Sequence, residues 1–316
     1  MKRLDVVVVG ELNADVILMD IPSFPQIGKE KIANKMVLTM GSASAILACN
    51  IARLGLQTGF IGKLGDDEFG TLVLDTLQDA NVDCSGIMID DSVQTGVTVV
   101  MSFPHDYAML TYMGAMESFS IRNVDFDYIN TARHLHLSSY YLQPAMRPHC
   151  PELFRRAKED GLTTSFDPGW DPSDKWEDDI LNVLPFVDIL FPNRQEAMMI
   201  SKQGTIEKAL GKLSEHVPTV VITKGSEGAI CRTHGQTIGC NAFPVNPVDT
   251  TGAGDSFNTG FLYQWLNGED CEKCLIYGSA CGAIACTRLG GTTASPTLDE
   301  LEEFLEEHQE KIIIDE

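Results

Sequence analysis

Hydrophobic positions recur along the chain in two rhythms. Val6-Val7-Val8-Val9 is an unbroken apolar run closed by Gly10-Glu11, the pattern of a strand covered on both faces. Apolar runs near Leu135, Phe166, Ile189 and Val221 are separated by helical patterns, at intervals near the ~30 residues of a strand–helix–strand unit. One such helix is expected from Pro151 to Asp160, with proline at its start, Leu153, Phe154 and Ala157 on one face and Gly161 after it. Another opens in the small residues from Gly41 and closes at Gly55. Ile61 to Gly70 reads as strand, turn and helix start, continued by Leu72, Val73, Leu77 and Ala80. Together these predict an α/β fold, a doubly wound and mainly parallel sheet with helices on both faces. No repeat or low-complexity linker interrupts it, so a single domain over residues 1–316 is expected.

Two stretches, about 12–40 and 94–114, break this rhythm. The first carries Pro22, Pro25 and Gly28 between short apolar pieces. In the second, Val97, Val99 and Met101 alternate, as do Met109, Thr111 and Met113, which predicts strands with one covered face. They form either a small separate sheet or an extension of the main one. Near the C-terminus, Leu301, Phe304 and Leu305 in the acidic stretch Leu298 to Glu316 predict a docked, solvated helix.

Composition narrows the function. The chain has 316 residues, 44% of them hydrophobic, enough for a large core, and a formal charge of −22. Such a field repels nucleic acid and obliges an anionic nucleotide to find Mg²⁺ or backbone N–H groups. Nine cysteines scattered through apolar segments read as reduced thiols of a cytoplasmic protein. Cys271 and Cys274 have metal-site spacing but no second pair, and His134 and His136 share a strand face without a third ligand, so packing is the simpler reading of both. The Val6–Val9 run is too short for a signal peptide, and nothing approaches membrane-spanning length.

The densest chemical signal is Asp249-Thr-Thr-Gly-Ala-Gly-Asp-Ser-Phe257. Before it, Ala242 to Val248 mix apolar residues with prolines, as in an edge strand or extended segment. After it, Phe257, Phe261, Leu262 and Trp265 recur at helical spacing. Gly252 and Gly254 therefore lie at a helix N-terminus, where free N–H groups and the helix dipole attract phosphate. Asp255 beside such a pocket is a poor phosphate ligand but a suitable base for an attacking hydroxyl. A capped helix is the plain alternative. Polar residues also follow the predicted strands, where open α/β sheets bind ligands: Asn13 and Asp15, Ser138 and Ser139, Asp167, Asn193 and Glu196, and Thr223-Lys224-Gly225. Asn193 and Glu196 equally suit a helix cap. No Gly-x-x-x-x-Gly-Lys-Ser/Thr occurs, so P-loop chemistry is excluded.

The Asp249–Phe257 segment and the stretch from Gly41 to Gly55 resemble the two signatures of the ribokinase-like (phosphofructokinase B) carbohydrate kinases, and the resemblance covers essentially the whole chain. It implies that Gly252, Ala253 and Gly254 form the anion hole and that Asp255 is the catalytic base. It places the acceptor against Asn13, Asp15, Ser42, Ala43 and Ile46. ATP is expected at Asn193, Thr223, Lys224, Gly225, Gly252, Gly254 and Ser279, with Mg²⁺ organised through water by Asn193 and Glu196. A monovalent cation, K⁺, is implied near Asp249 and Thr251, with Gly290, Gly291 and Ser295. The two irregular stretches become a lid that could also form a homodimer contact. Ser42 replaces a glycine and Ile46 a sugar-binding Asn, so ribose is disfavoured. Ala43 stands where phosphosugar kinases carry Lys, and Met113 where sugar-acid kinases carry Arg. The expected activity is ATP-dependent phosphorylation of a hydroxyl on a neutral sugar or polyol; a nucleoside kinase and a non-catalytic sensor are the alternatives.

Overall fold

The computed structural model describes residues 3–103, 107–292, 294–312 and 314–315. Residues 104–106, inside the expected 94–114 stretch, and Ile313 and Glu316, inside the expected C-terminal helix, lie outside the described residues.

In chain order the first part of the protein is β1 (Leu4–Val9), β2 (Asn13–Met19), β3 (Lys35–Met40), α1 (Ala43–Arg53), β4 (Thr58–Gly65), α2 (Glu68–Asp79), β5 (Asp83–Asp90), β6 (Gly96–Ser102), β7 (Tyr107–Tyr112) and the short α3 (Ala115–Ser118) and α4 (Phe126–Ile129). Then follow β8 (Ala132–Leu137), α5 (Cys150–Glu159), β9 (Thr163–Phe166), β10 (Ile189–Leu190), α6 (Arg194–Ser201), α7 (Ile206–Leu213) and β11 (Thr219–Thr223). The last part is β12 (Ala229–Thr233), β13 (Gln236–Cys240), α8 (Ala253–Leu266), α9 (Cys271–Cys286), α10 (Leu298–Glu307) and β14 (Ile314–Asp315).

The main sheet has the order β14-β13-β12-β11-β10-β9-β8-β1-β4-β5, parallel from β11 to β5. The run at β1 is apolar throughout because both of its faces are covered. Val7 and Val9 enter the core with Leu153, Phe154, Leu210 and Leu213 of α5 and α7, while Val6 and Val8 enter the opposite core with Leu47, Ile51, Phe261 and Leu262 of α1 and α8. At roughly 25 cal/mol per Å² of apolar surface, these two layers are the main source of stability.

Three features differ from the sequence reading. The β9–β10 connection holds only 3₁₀ turns (Asp178–Asn182 and Leu184–Phe186) rather than a helix. One edge is antiparallel: β12 and β13 form a hairpin whose central His234 and Gly235 have φ of 49° and 82°, the left-handed pair a two-residue turn requires. The acidic C-terminal helix stops at Glu307, and β14 pairs with β13 beyond it. Residues 241–248 carry no strand.

The two irregular stretches form a separate four-stranded sheet, β3-β2-β6-β7. Its register puts Thr39, Asp15, Thr98 and Thr111 in one cross-strand row and Leu38, Val16, Val99 and Leu110 in the adjacent row. Because successive residues of a strand point to opposite faces, one side of this sheet carries a polar row and the other an apolar one.

Candidate active site

Asp249 organises the turn that opens α8. Its Oδ1 accepts the Thr251 N–H (2.9 Å) and its Oδ2 the Gly290 N–H (3.1 Å), while the Val248 N–H donates to the Cys286 carbonyl (2.7 Å). Gly252 then takes φ of +72° as the N-cap residue, and no side chain caps the helix. A Cβ on Gly252 would lie 2.8 Å from Gly291 Cα, and one on Gly291 would lie 2.5 Å from Ile46 Cδ1. Gly252, Gly291 and Ile46 are thus stacked, and Ile46 braces the glycine turn from behind. At Gly254 an added Cβ would meet nothing within 4 Å, so the start of α8 opens onto free space. The Ala253 N–H turns back to the Thr250 carbonyl (3.2 Å), which leaves the N–H groups after it better placed for an anion.

Four carboxylates converge here from four places in the chain. Asp255, in the first turn of α8, is pushed well above the ordinary carboxylate range by burial and then by the negative charges of Asp167, Glu11 and Glu196. Asp167, just after β9, is raised to about 6 by burial, against hydrogen bonds donated by Gly169 N–H (3.0 Å) and Asn258 Nδ2 (2.7 Å). Glu196 is raised to about 8 by burial and by Asp167. Glu11, directly after β1, is raised by burial. None of the four is in an ion pair among the described residues.

Asn193 and Glu196 realise the capping box: Asn193 Oδ1 accepts the N–H groups of Gln195 (2.9 Å) and Glu196 (3.0 Å), and Glu196 Oε2 accepts the Asn193 N–H (2.8 Å). The structural reading of this pair is therefore correct, and it leaves the second carboxylate oxygen of Glu196 for the site.

On the small sheet, Asn13 Nδ2 donates to Asp15 Oδ1 (2.8 Å) and to Thr98 Oγ1 (3.2 Å), which lies 3.0 Å from Thr111 Oγ1. Burial, partly offset by the Asn13 bond, raises Asp15 to about 6. A Cβ on Gly41 would lie 2.2 Å from Asp15 Oδ1, so the entry to α1 presses directly against this carboxylate, and Ser42 and Ala43 follow.

A cleft of about 480 Å³ opens at the start of α8. Thr223, Gly225, Phe243, Val245 and Phe257 line it, together with Ser279, whose buried Oγ has no partner. Lys224 lies between two lining residues but is not one itself; its N–H donates to the Gly228 carbonyl (2.7 Å).

Several of these residues were not singled out from the sequence. Glu11 was visible as a charge at the end of the central strand, and Thr98 and Thr111 as polar positions in the alternating strand segments. Asn258 gives no signal short of its contact with Asp167. Other expectations resolve as packing. All four ring nitrogens of His134 and His136 are bonded to Thr163, Ser165 or Ser138 hydroxyls at 2.7–2.8 Å, and the cysteines are free thiols. No group of three or more metal-ligating side chains occurs among the described residues, nor a helix long and apolar enough to cross a membrane.

The chain is 33% identical over 300 residues to the ATP-dependent ribose-1-phosphate kinase of Halopiger xanaduensis, covering 94% of this chain and 97% of that protein. It is 31% identical to the 5-dehydro-2-deoxygluconokinase of Geobacillus thermodenitrificans, covering 96% and 94%. A structure described as a ribokinase II of E. coli, in complex with ATP and Mg²⁺, superposes with a TM-score of 0.86 at 26% identity, covering 96% of this chain and 100% of that one. The pfkB family carbohydrate kinase pattern matches residues 3–298, and the chain belongs to that family of carbohydrate kinases.

Proposed function

We propose that this protein transfers the γ-phosphoryl group of ATP to a hydroxyl of a neutral sugar or polyol, with Asp255 as the base. The observation that carries this reading is the set of four carboxylates at the start of α8 with no cation in an ion pair to any of them. A negative field raises the proton affinity of Asp255, as a base requires, and it repels an acceptor that carries a phosphate or carboxylate. The two relatives named for ribose 1-phosphate and a sugar acid make the charged acceptors the decisive comparison.

The residues fit the cofactors. The cleft beside α8 offers the orphaned Ser279 Oγ and open space at Gly225 and Gly254, as a nucleotide needs. When bound, ATP would supply the phosphoryl group and Mg²⁺ would neutralise phosphate charge, with Glu196 and Asn193 the residues that would hold the ion. The N–H groups at the start of α8 face the charge that develops on the transferred group. Asp15 and Asn13 orient the acceptor, and Asp255 takes its hydroxyl proton as the new O–P bond forms and the bond from the γ-phosphorus to the bridging oxygen breaks, releasing ADP. The carboxylate of Asp249, with the buried and unpartnered Ser295 Oγ, suits a K⁺ ion beside the anion hole.

The small sheet closes over the acceptor as a lid, its polar row facing the site and excluding water. Its other face leaves Met36, Leu38, Leu110 and Tyr112 exposed, and a second copy of the chain covers this face in a homodimer. The protein acts in the cytoplasm.

The test is ADP release from Mg·ATP across neutral sugars, polyols, nucleosides, sugar acids and phosphosugars, beside Asp255→Asn. Turnover of neutral acceptors that vanishes in Asp255→Asn is expected; preferential turnover of ribose 1-phosphate or a sugar acid overturns the acceptor class. Ligand-dependent thermal stabilisation without turnover for any acceptor overturns the kinase reading in favour of a sensor.

A further inference from the structure

Glu11, like Asp167, has no role in the proposed reaction, yet it is 2% exposed and is in no ion pair among the described residues. A buried, unpaired carboxylate is costly, and its neighbours show what it holds. Ser44 Oγ donates to Glu11 Oε2, and Ser42 Oγ, 2.7 Å from the Glu11 carbonyl and 3.2 Å from Glu11 Oε1, shares its proton between them. The same Ser42 Oγ accepts the Ala45 N–H (2.9 Å) and so caps α1. Gly10 completes the clamp: a Cβ there would lie 2.0 Å from Ser44 Oγ, so the end of β1 and the start of α1 meet at a spacing no side chain allows.

Ser42 itself has φ of +69°, a conformation natural to glycine and strained for serine. A serine at such a position needs a compensating interaction, and the Glu11 bonds supply it. What they fix is the Gly41-Ser42-Ala43 turn, which packs on Asp15 at Gly41. We infer that Glu11 is a positioning residue: through Ser42 and Ser44 it locks the Gly41–Ala43 turn, and with it the acceptor, in front of Asp255.

This deepens the proposed acceptor site and rests on that reading. A second effect follows from charge. Asp255 faces Glu11 after β1, Asp167 after β9 and Glu196 on α6, and Glu11 faces the hydroxyls of Ser42, Ser44 and Ser139. Glu11 is one of the carboxylates that raise the proton affinity of Asp255, so removing its charge lowers that affinity.

The experiment uses the full chain and its Glu11→Gln, Ser42→Gly and Asp255→Asn variants, with the acceptor of highest wild-type kcat/KM in the panel above. Glu11→Gln is expected to raise KM for the acceptor about 10- to 100-fold while KM for Mg·ATP changes less than about twofold. It also moves the acid limb of the kcat/KM profile to lower pH, which a purely structural role for Glu11 does not do. Ser42→Gly relieves the strained backbone, so it raises acceptor KM without lowering Tm, and it serves where Glu11→Gln folds poorly. Hydrogen exchange at the Ser44 and Ala45 amides, which needs no acceptor, is expected to quicken about tenfold or more in Glu11→Gln. Unchanged acceptor KM, unchanged acid limb or unchanged exchange in these variants overturns the inference. Retained turnover in Asp255→Asn instead overturns the base assignment, and the exchange result stands apart from it.

Discussion

Two buried polar clusters meet at the end of β9, and their contrast separates structure from chemistry. Along β8 and β9, Thr163, His134, Ser165, His136 and Ser138 form one chain of hydrogen bonds with every ring nitrogen partnered. Two residues beyond Ser165, Asp167 belongs to the carboxylate cluster, where like charges face one another without a cation. Ser165 has a single hydroxyl proton, so it donates to at most one of the two imidazoles. Burial holds both imidazoles neutral, at about 3, so the chain carries no charge. The first cluster is a satisfied network and stabilises the fold. The second concentrates unbalanced charge where a proton and a phosphate are handled, as perturbed groups at functional sites do.

Asp255→Asn should give the largest effect, a fall in kcat of about 10²–10⁴-fold with a rise in apoprotein Tm, since folding no longer has to bury a carboxyl against its acidic neighbours. A kcat within threefold of wild type would erase the distinction between the clusters. Glu196→Gln should lower kcat or Mg²⁺ affinity by about 10–100-fold, read from activity against Mg²⁺ concentration. In the other cluster, Ser165→Ala leaves two imidazole nitrogens without partners and should lower stability by about 1–3 kcal/mol in urea unfolding, with kcat of the folded enzyme unchanged.

The smallest effect is the pH dependence of apoprotein stability, where the clusters have opposite signs. Glu196 binds its proton more tightly folded than unfolded, so its contribution is present at acid pH and is lost as pH rises through about 8. The histidines bind theirs less tightly folded, so their contribution is present at neutral pH and is lost as pH falls from about 6.5 towards about 3. Calorimetry of Glu196→Gln should show a flatter loss on the alkaline side, and His136→Gln a flatter loss on the acid side.

The parallel sheet was legible because its strands are apolar runs of fixed spacing, and the glycine turn because only a helix start explains Gly252, Gly254 and the apolar periodicity after them. The antiparallel edge was not, since its hairpin rests on His234 and Gly235, a weaker turn signal than Asn-Gly. Ile46 illustrates a subtler limit. The family resemblance places it against the acceptor, and the structure adds that its side chain packs close to Gly291, a contact that gives no signal in the sequence. Asn193 and Glu196 show the converse, one spacing serving as helix cap and as part of the charged cluster.

By itself the sequence determined the parallel strands and most of the helices between them, the helix start at the glycines and the presence of a carboxylate beside it, because these depend on periodicity and local backbone geometry. Only the tertiary structure decided that Glu11, Asp167, Glu196 and Asp255 meet, that Ser42 is held strained by Glu11, and that the histidines are neutral and satisfied. Those properties follow from distances between residues on different strands and from the water excluded around them, and charge in a buried site is governed by both.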